Sequence, residues 1–142
     1  MLFGKRERAI RKIVIVEDEP LVAFDNEHFL RESGYEVVAT VDSLADAVRV
    51  LAEEEIHLIL SDIKLNGEGD GLDVARAAAA KGVPVLFVTG HCPAEAANLG
   101  IGCLAKPYSD KMLQSALDTL DARLRGKKVK RVPAGLTLYE QA

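Results

Sequence analysis

The sequence predicts an α/β fold built around an open parallel β-sheet. Five short apolar runs alternate with longer segments in which apolar residues recur at helical spacing. Several of the runs are nearly continuous, as in parallel strands that are covered by helices on both faces. Because helices separate the strands, the chain should form βαβ units whose strands have their carboxyl ends at one edge of the sheet.

The apolar runs and the helix signals give the boundaries of each element in order. The runs predict strands at 13–16, 37–41, 58–60, 83–88 and 101–105. The helical segments are 20–32, 43–54, 71–81, 93–99 and 109–125. Helix starts are marked by Pro20, Ser43 and Ser109, and helix ends by Gly34, Gly82 and Gly100. The last helix carries the most regular apolar stripe, whereas the segment 93–99 is short and rich in alanine.

The composition indicates one globular domain. The chain has 142 residues, of which 49% are apolar and 28% are charged. No apolar stretch reaches the roughly 18 residues of a membrane span, and the first residues lead into charge rather than into a signal segment. We therefore expect a cytoplasmic protein that does not associate with membranes.

The sequence contains two cysteines, Cys92 and Cys103. Their spacing from each other, and from His28, His57 and His91, is not that of a metal site. We therefore expect both to be small buried residues of a protein in a reducing compartment.

The net charge of −4 conceals two basic ends and an acidic body. Residues 1–12 and 121–142 each carry a charge of +4, which leaves −12 on the 108 residues between them. Such a body disfavours nucleic acid as the main ligand and suits a cation site. We divide the chain into a basic N-terminal extension (1–12), a folded domain (13–125) and a mobile basic tail (126–142). The apolar residues of the tail that could dock are Leu136, Leu138 and Tyr139.

Polar side chains follow four of the predicted strands. Glu17 and Asp18 follow the first strand, Asp62 the third, Thr89 the fourth and Lys106 the fifth. Three neighbouring carboxylates repel one another without a cation, and Mg²⁺ is a hard ion that prefers oxygen ligands. A carboxylate can also be a nucleophile that forms an aspartyl phosphate, with an ammonium group and a hydroxyl beside the phosphoryl oxygens. The pattern therefore predicts a phosphoryl-transfer site at this edge of the sheet.

Five motifs, in this order, resemble the receiver domain of two-component response regulators over roughly residues 12–125. They are IVIVEDEP at 13–20, LSDIKL at 60–65, Asp70-Gly71, VTG at 88–90 and LAKPY at 104–108. The resemblance implies a flavodoxin-like, doubly wound, five-stranded parallel sheet with the strand order 2-1-3-4-5.

The resemblance also implies a role for each site residue. Asp62 would accept the phosphoryl group, Thr89 would supply the switch hydroxyl, and Lys106 would pair with the phosphate. The implied Mg²⁺ ligands are Glu17, Asp18, Asp62 and the backbone carbonyl of Lys64. In the family the Lys-Pro bond is often cis, which here concerns Lys106 and Pro107.

A member of this family transmits a signal in a phosphorelay and does not turn over a substrate beyond its own phosphorylation and dephosphorylation. The resemblance implies that a histidine kinase or histidine phosphotransfer protein donates the phosphoryl group. The output would be a downstream protein contact or onward phosphotransfer, and we expect a monomer that binds no specific nucleic acid.

Two positions depart from the family pattern. Cys103 stands three residues before Lys106, where receivers usually carry an aromatic ring that moves on activation. The segment from Phe87 to Cys92 matches the Phe, Thr and Gly of a Phe-Ala-Thr-Gly-hydrophobic-Tyr motif, but it lacks the final Tyr. That motif belongs to an alphaproteobacterial receiver subfamily associated with general stress signalling.

Other functions remain open on the sequence alone. A small Mg²⁺-dependent phosphohydrolase could use Asp62 as nucleophile, but Lys64 stands where its second catalytic aspartate would be. A nucleotide or flavin module of the same topology would need a glycine-rich loop after the first strand, and none is present. A receiver that is never phosphorylated is disfavoured because each position of the predicted site is filled.

Overall fold

A computed structural model describes residues 8–140 and has a central six-stranded sheet between two layers of helices. The strands are β1 Lys12–Val16, β2 Glu36–Val41, β3 Leu58–Ser61, β4 Val85–Thr89, β5 Gly102–Ala105 and β6 Leu136–Leu138. The α-helices are α1 Pro20–Glu32, α2 Leu44–Glu53, α3 Gly71–Ala79 and α4 Asp110–Leu124. The strand order is β2-β1-β3-β4-β5-β6, and the first five strands are parallel. The predicted order of these five strands is therefore confirmed.

The element boundaries agree with the sequence prediction to within about two residues, with one change of type. The segment predicted as a helix at 93–99 forms a single 3-10 turn, Ala94–Asn98, after Pro93. Five residues are too few for a stable α-helix, and such short connectors often take the tighter 3-10 geometry. Ser43 and Ser109 cap α2 and α4 by accepting hydrogen bonds from Asp46 N and Met112 N, as predicted.

The sheet has a hydrophobic core on each face. One core joins the sheet to α1 and α4 and includes Leu30, Leu60 and Leu117. The other joins it to α2 and α3 and includes Val74 and Phe87. The central strands β3 and β4 contribute to both cores, which explains their continuous apolar runs.

The end of the predicted mobile tail is a strand. β6 pairs antiparallel with β5, and Leu136 and Tyr139 are buried. The sheet therefore has one strand more than the five we predicted, because β6 satisfies backbone groups at what would otherwise be an open sheet edge. Gly102 permits the close approach, since a Cβ there would lie 2.9 Å from the carbonyl oxygen of Thr137.

The last residues of the predicted N-terminal extension also pack on the domain. Ile10 is fully buried, and the Asp121 carboxylate in α4 accepts hydrogen bonds from Ala9 N at 2.8 Å and Ile10 N at 2.7 Å. The guanidinium of Arg8 lies over the Tyr35 ring. Residues 1–7 lie outside the described part of the chain. Within residues 8–140, none of the helices has the length and apolar character needed to cross a membrane.

Candidate functional site

Three carboxylates meet at the carboxyl ends of two neighbouring strands. Glu17 and Asp18 follow β1, and Asp62 follows β3, which pairs with β1 so that Val16 lies opposite Ser61. One oxygen of each carboxylate lies within 4.8 Å of the others. The prediction that Glu17, Asp18 and Asp62 come together is thus matched by the geometry.

Glu17 is the most buried of these acids, with 3% of its surface exposed. Burial raises the pKa of Glu17 above its usual range, and the nearby charge of Asp62 adds to the effect. A hydrogen bond from Glu19 N at 3.1 Å and the charge of Lys106 act in the opposite direction. These two groups do not fully compensate the water that Glu17 loses on burial. The cluster therefore combines oxygen donors with uncompensated negative charge, which suits a hard divalent cation.

Lys106 links two of the acids from the end of β5. Its Nζ donates to Asp62 Oδ2 at 2.8 Å and lies 3.4 Å from Glu17 Oε1. Burial favours the neutral amine, but the hydrogen bond and the charge of Asp62, together with Glu17, raise the pKa of Lys106. The side chain is therefore an ammonium ion at neutral pH. The Lys106–Pro107 peptide bond is cis, as the family resemblance implies.

Thr89 ends β4 beside the same cleft. Its Oγ1 accepts a long hydrogen bond from His91 N at 3.4 Å, and its carbonyl accepts one from Lys106 N at 2.8 Å. The cleft measures about 670 Å³ and opens to solvent. Its lining includes Asp18, Asp62, Lys64, Thr89, Gly90, His91 and Lys106.

The backbone around Asp62 is held by the start of α3. Ile63 N donates to Asp62 Oδ1 at 2.6 Å, and Gly71 N donates to the carbonyl of Ile63 at 2.6 Å. A Cβ on Gly71 would collide with the backbone of Asp62 and Ile63. The glycine of the Asp70-Gly71 motif is therefore required by the close approach of α3 to the strand end that carries Asp62.

The sequence prediction for the cysteines is wrong in one respect. Cys103 is buried as expected, but it forms a disulfide with the half-buried Cys92, with a Cα–Cα distance of 6.4 Å. The loop after β4 turns back over β5, where Cys103 lies opposite Phe87 in the register. Spacing tests for metal ligands could not reveal this pair, because its proximity depends on strand register and on the path of that loop.

Comparisons with known proteins point to the same family as the arrangement of these side chains. Residues 13–118 match the family model described as the response regulator receiver domain. The transcriptional regulatory protein PdtaR of Mycobacterium tuberculosis is 31% identical over 121 residues, which cover 81% of this chain and 58% of the relative. The phyllosphere-induced regulator PhyR of Methylorubrum extorquens is 35% identical over 82 residues, which cover 56% of this chain and 31% of the relative.

Among solved structures, a receiver domain of a Pseudomonas aeruginosa sensor histidine kinase aligns with a TM-score of 0.68 and 29% identity. The alignment covers 82% of this chain and 98% of that one, and that protein has a magnesium ion coordinated in its active site cleft. The matched region spans about three-fifths of the length of PdtaR and about a third of PhyR.

Proposed function

The chain belongs to the response regulator receiver domain family, and we propose that it transmits phosphorelay signals by accepting a phosphoryl group on Asp62. The observation that carries the proposal is the contact of Asp62 Oδ2 with Lys106 Nζ at 2.8 Å, beside two further carboxylates. The hydrogen bond to Asp62 and the charges of Asp62 and Glu17 keep the lysine protonated despite its partial burial, so a cation is in place before any phosphate arrives.

In the proposed reaction, Asp62 attacks the phosphorus of a phosphohistidine, and the bond between phosphorus and the imidazole nitrogen breaks. The imidazole leaves and an acyl phosphate forms on Asp62. Lys106 donates to a phosphoryl oxygen, and the Thr89 hydroxyl donates to another after it moves from its contact with His91 N. Hydrolysis of the acyl phosphate by water would return Asp62 to its carboxylate form.

We further propose that the carboxylate cluster binds Mg²⁺. Glu17, Asp18, Asp62 and the backbone carbonyl of Lys64 would hold the ion, which neutralises charge on the phosphoryl oxygens when bound. The support comes from the set of oxygen donors within 4.8 Å and from the raised pKa of the buried Glu17.

The donor we propose is a histidine kinase or a histidine phosphotransfer protein, and the output is contact with a downstream protein or onward phosphotransfer. The acidic body of the chain makes a specific nucleic acid partner unfavourable, and we propose a cytoplasmic monomer. The match of Phe87, Thr89 and Gly90 supports a place in the stress-signalling receiver subfamily, although Cys92 replaces its final Tyr.

The central test is phosphorylation by acetyl phosphate with Mg²⁺, followed by intact-mass measurement. We expect the gain of one phosphate in the wild type and in Asp25→Asn, which alters an exposed aspartate of α1. Asp62→Asn should gain none, and a phosphorylated Asp62→Asn variant would disprove the assignment.

The second candidate, a phosphohydrolase, is separated by a turnover assay on small phosphomonoesters. Lys64 occupies the position two residues after Asp62, and its side chain is exposed at the cleft rim. No acid is therefore available at that position to protonate a leaving group. We expect no sustained release of phosphate from such esters, and multiple turnovers that depend on Asp62 would favour the hydrolase instead.

A further inference from the structure

The disulfide joins the two segments that carry the switch hydroxyl and the lysine of the site. Cys92 lies three residues after Thr89, in the loop between β4 and the 3-10 turn, and Cys103 lies three residues before Lys106 on β5. The covalent link therefore fixes the loop that follows Thr89 to the neighbouring strand.

The two cysteine residues differ in their exposure to solvent. Cys103 is fully buried in the core that contains Phe87, Ala96 and Tyr139, whereas Cys92 is half-buried at the edge of that core. A thiol from solution can therefore attack the disulfide at Cys92 and release Cys103. The sequence contains no other cysteine, so neither sulfur has an alternative partner within the chain.

We propose that Cys92 and Cys103 form a reversible thiol/disulfide site, and that their redox state controls the response of the Thr89 loop to phosphorylation. The co-reactants are low-molecular-weight thiols and their disulfides, such as glutathione. Disulfides in reducing compartments are mostly transient, catalytic or redox-sensing, which favours a regulatory role for this pair over a purely structural one.

The exchange balances without any further oxidant or reductant. In reduction, a small thiolate attacks Sγ of Cys92, the bond between the two protein sulfurs breaks, and Cys103 leaves as a thiolate that takes up a proton. A second small thiol then attacks the mixed disulfide, so that two thiols become one disulfide and the protein gains two thiol groups. Oxidation reverses both steps, with Cys103 displacing the small thiol from Cys92.

The mechanical consequence follows from what Thr89 has to do in the proposed function, on which this coupling rests. Its hydroxyl contacts His91 N at 3.4 Å, and it must turn toward the phosphoryl group on Asp62. Movement of the loop is limited while Cys92 is bonded to a strand in the middle of the core. Cys103 also occupies the position at which the family carries a movable ring, so a breakable covalent bond stands where a rotating side chain is usual.

The redox part is tested by equilibrating the native full chain in glutathione buffers of varied ratio, followed by an acid quench, thiol alkylation of the unfolded protein and intact-mass measurement. We expect the protein to change from no alkyl groups to two as the buffer becomes as reducing as a cytosol. A disulfide that stays formed in such a buffer would be structural and would overturn the proposal.

The coupling is tested by amide hydrogen exchange of residues 89–99 with and without beryllofluoride and Mg²⁺, in oxidised and reduced protein. We expect the phosphate mimic to change exchange by about fivefold or more in the reduced protein and by less than about twofold in the oxidised protein. Equal responses in the two redox states would overturn the coupling.

Two variants control for the reducing agent. Cys92→Ser should respond to beryllofluoride like the reduced protein whether or not dithiothreitol is present. Cys103→Ala removes the buried partner of the same disulfide and should behave in the same way. Phosphorylation by acetyl phosphate is measured in parallel. Absence of phosphate in both redox states would reject the proposed function together with the coupling, whereas equal phosphorylation with equal loop exchange would reject the coupling alone.

Discussion

The two sides of the site are built in different ways. The acidic half, defined as Glu17, Asp18 and Asp62, lies on the neighbouring strands β1 and β3 in the middle of the sheet. The switch half, defined as Thr89, the Cys92–Cys103 disulfide and β6, extends from the end of β4 across β5 to the edge strand β6. The residues of the acidic half directly follow strands that short sequence motifs identify. The switch half instead depends on contacts between segments that are separated in the sequence, and local sequence patterns do not reveal those contacts.

The difference between the two halves separates the groups that react from the segments that respond to the reaction. The acidic half collects charge at a point where the backbone is fixed by two strands and by the start of α3. The switch half consists of a loop beside the same cleft, the disulfide that ties this loop to β5, and an edge strand of three residues. We infer that the chemistry is placed on the rigid half and that the response to it is placed on the half with fewer supports. Lys106 contacts Asp62 from β5 and joins the two.

The largest effect is expected when the rigid support of the acidic half is disturbed. Gly71→Ala places a Cβ against the backbone of Asp62 and Ile63, which cannot move without displacing β3. We expect a loss of about 3 kcal/mol in the free energy of unfolding, measured by urea denaturation. Gly90→Ala is the matched control, since a Cβ there meets no atom within 4 Å. Equal losses in the two variants would mean that the α3 contact does not support the site.

Mg²⁺ provides the next test, because it should act on the acidic half alone. A ligand that binds only the folded state stabilises it by about 2.7 kcal/mol at a hundredfold excess over its Kd. We expect the melting temperature to rise with Mg²⁺ in the wild type and in Asp25→Asn, and to rise less in Asp18→Asn. An equal rise in Asp18→Asn would place the metal at another site.

The sequence predicted the acidic half more completely than the switch half, for physical reasons. The runs that became β1 and β3 are long enough to show their burial, and each is followed directly by an acid. β6 has only the residues Leu136, Thr137 and Leu138, too few for alternation to be distinguished from chance. The disulfide joins residues 11 positions apart, and their meeting depends on the register of β4 against β5.

A substitution in β6 tests whether this edge strand of the switch half contributes to the stability of the sheet. Leu136 is buried against β5 and α4, so Leu136→Ala should reduce the free energy of unfolding by about 2 kcal/mol. Thr137→Ala on the same strand alters an exposed side chain and should change stability by less than about 0.5 kcal/mol. If both variants have the small effect, β6 does not contribute to the stable sheet.

The smallest effect concerns the protonation of Glu17 in metal-free protein. Because burial raises the pKa of Glu17 in the folded state, its ionised form is less favourable there than in the unfolded chain. This cost is present at neutral pH and disappears as the pH falls through the raised pKa toward the ordinary value of 4.5. Glu17→Gln should therefore be more stable than the wild type at pH 7 in the presence of a chelator.

The advantage of Glu17→Gln should decrease as the pH is lowered from 7 toward 5, because the wild-type carboxylate then takes up a proton. Urea denaturation at several pH values measures the difference, with Glu53→Gln, which removes an exposed carboxylate at the end of α2, as the control. Added Mg²⁺ should reverse the order at pH 7, since the metal binds the ionised cluster of the wild type. If Glu17→Gln is the less stable protein at pH 7 even with a chelator, then Lys106 and the Glu19 N–H already compensate the buried charge. The acidic half would in that case be complete without a cation.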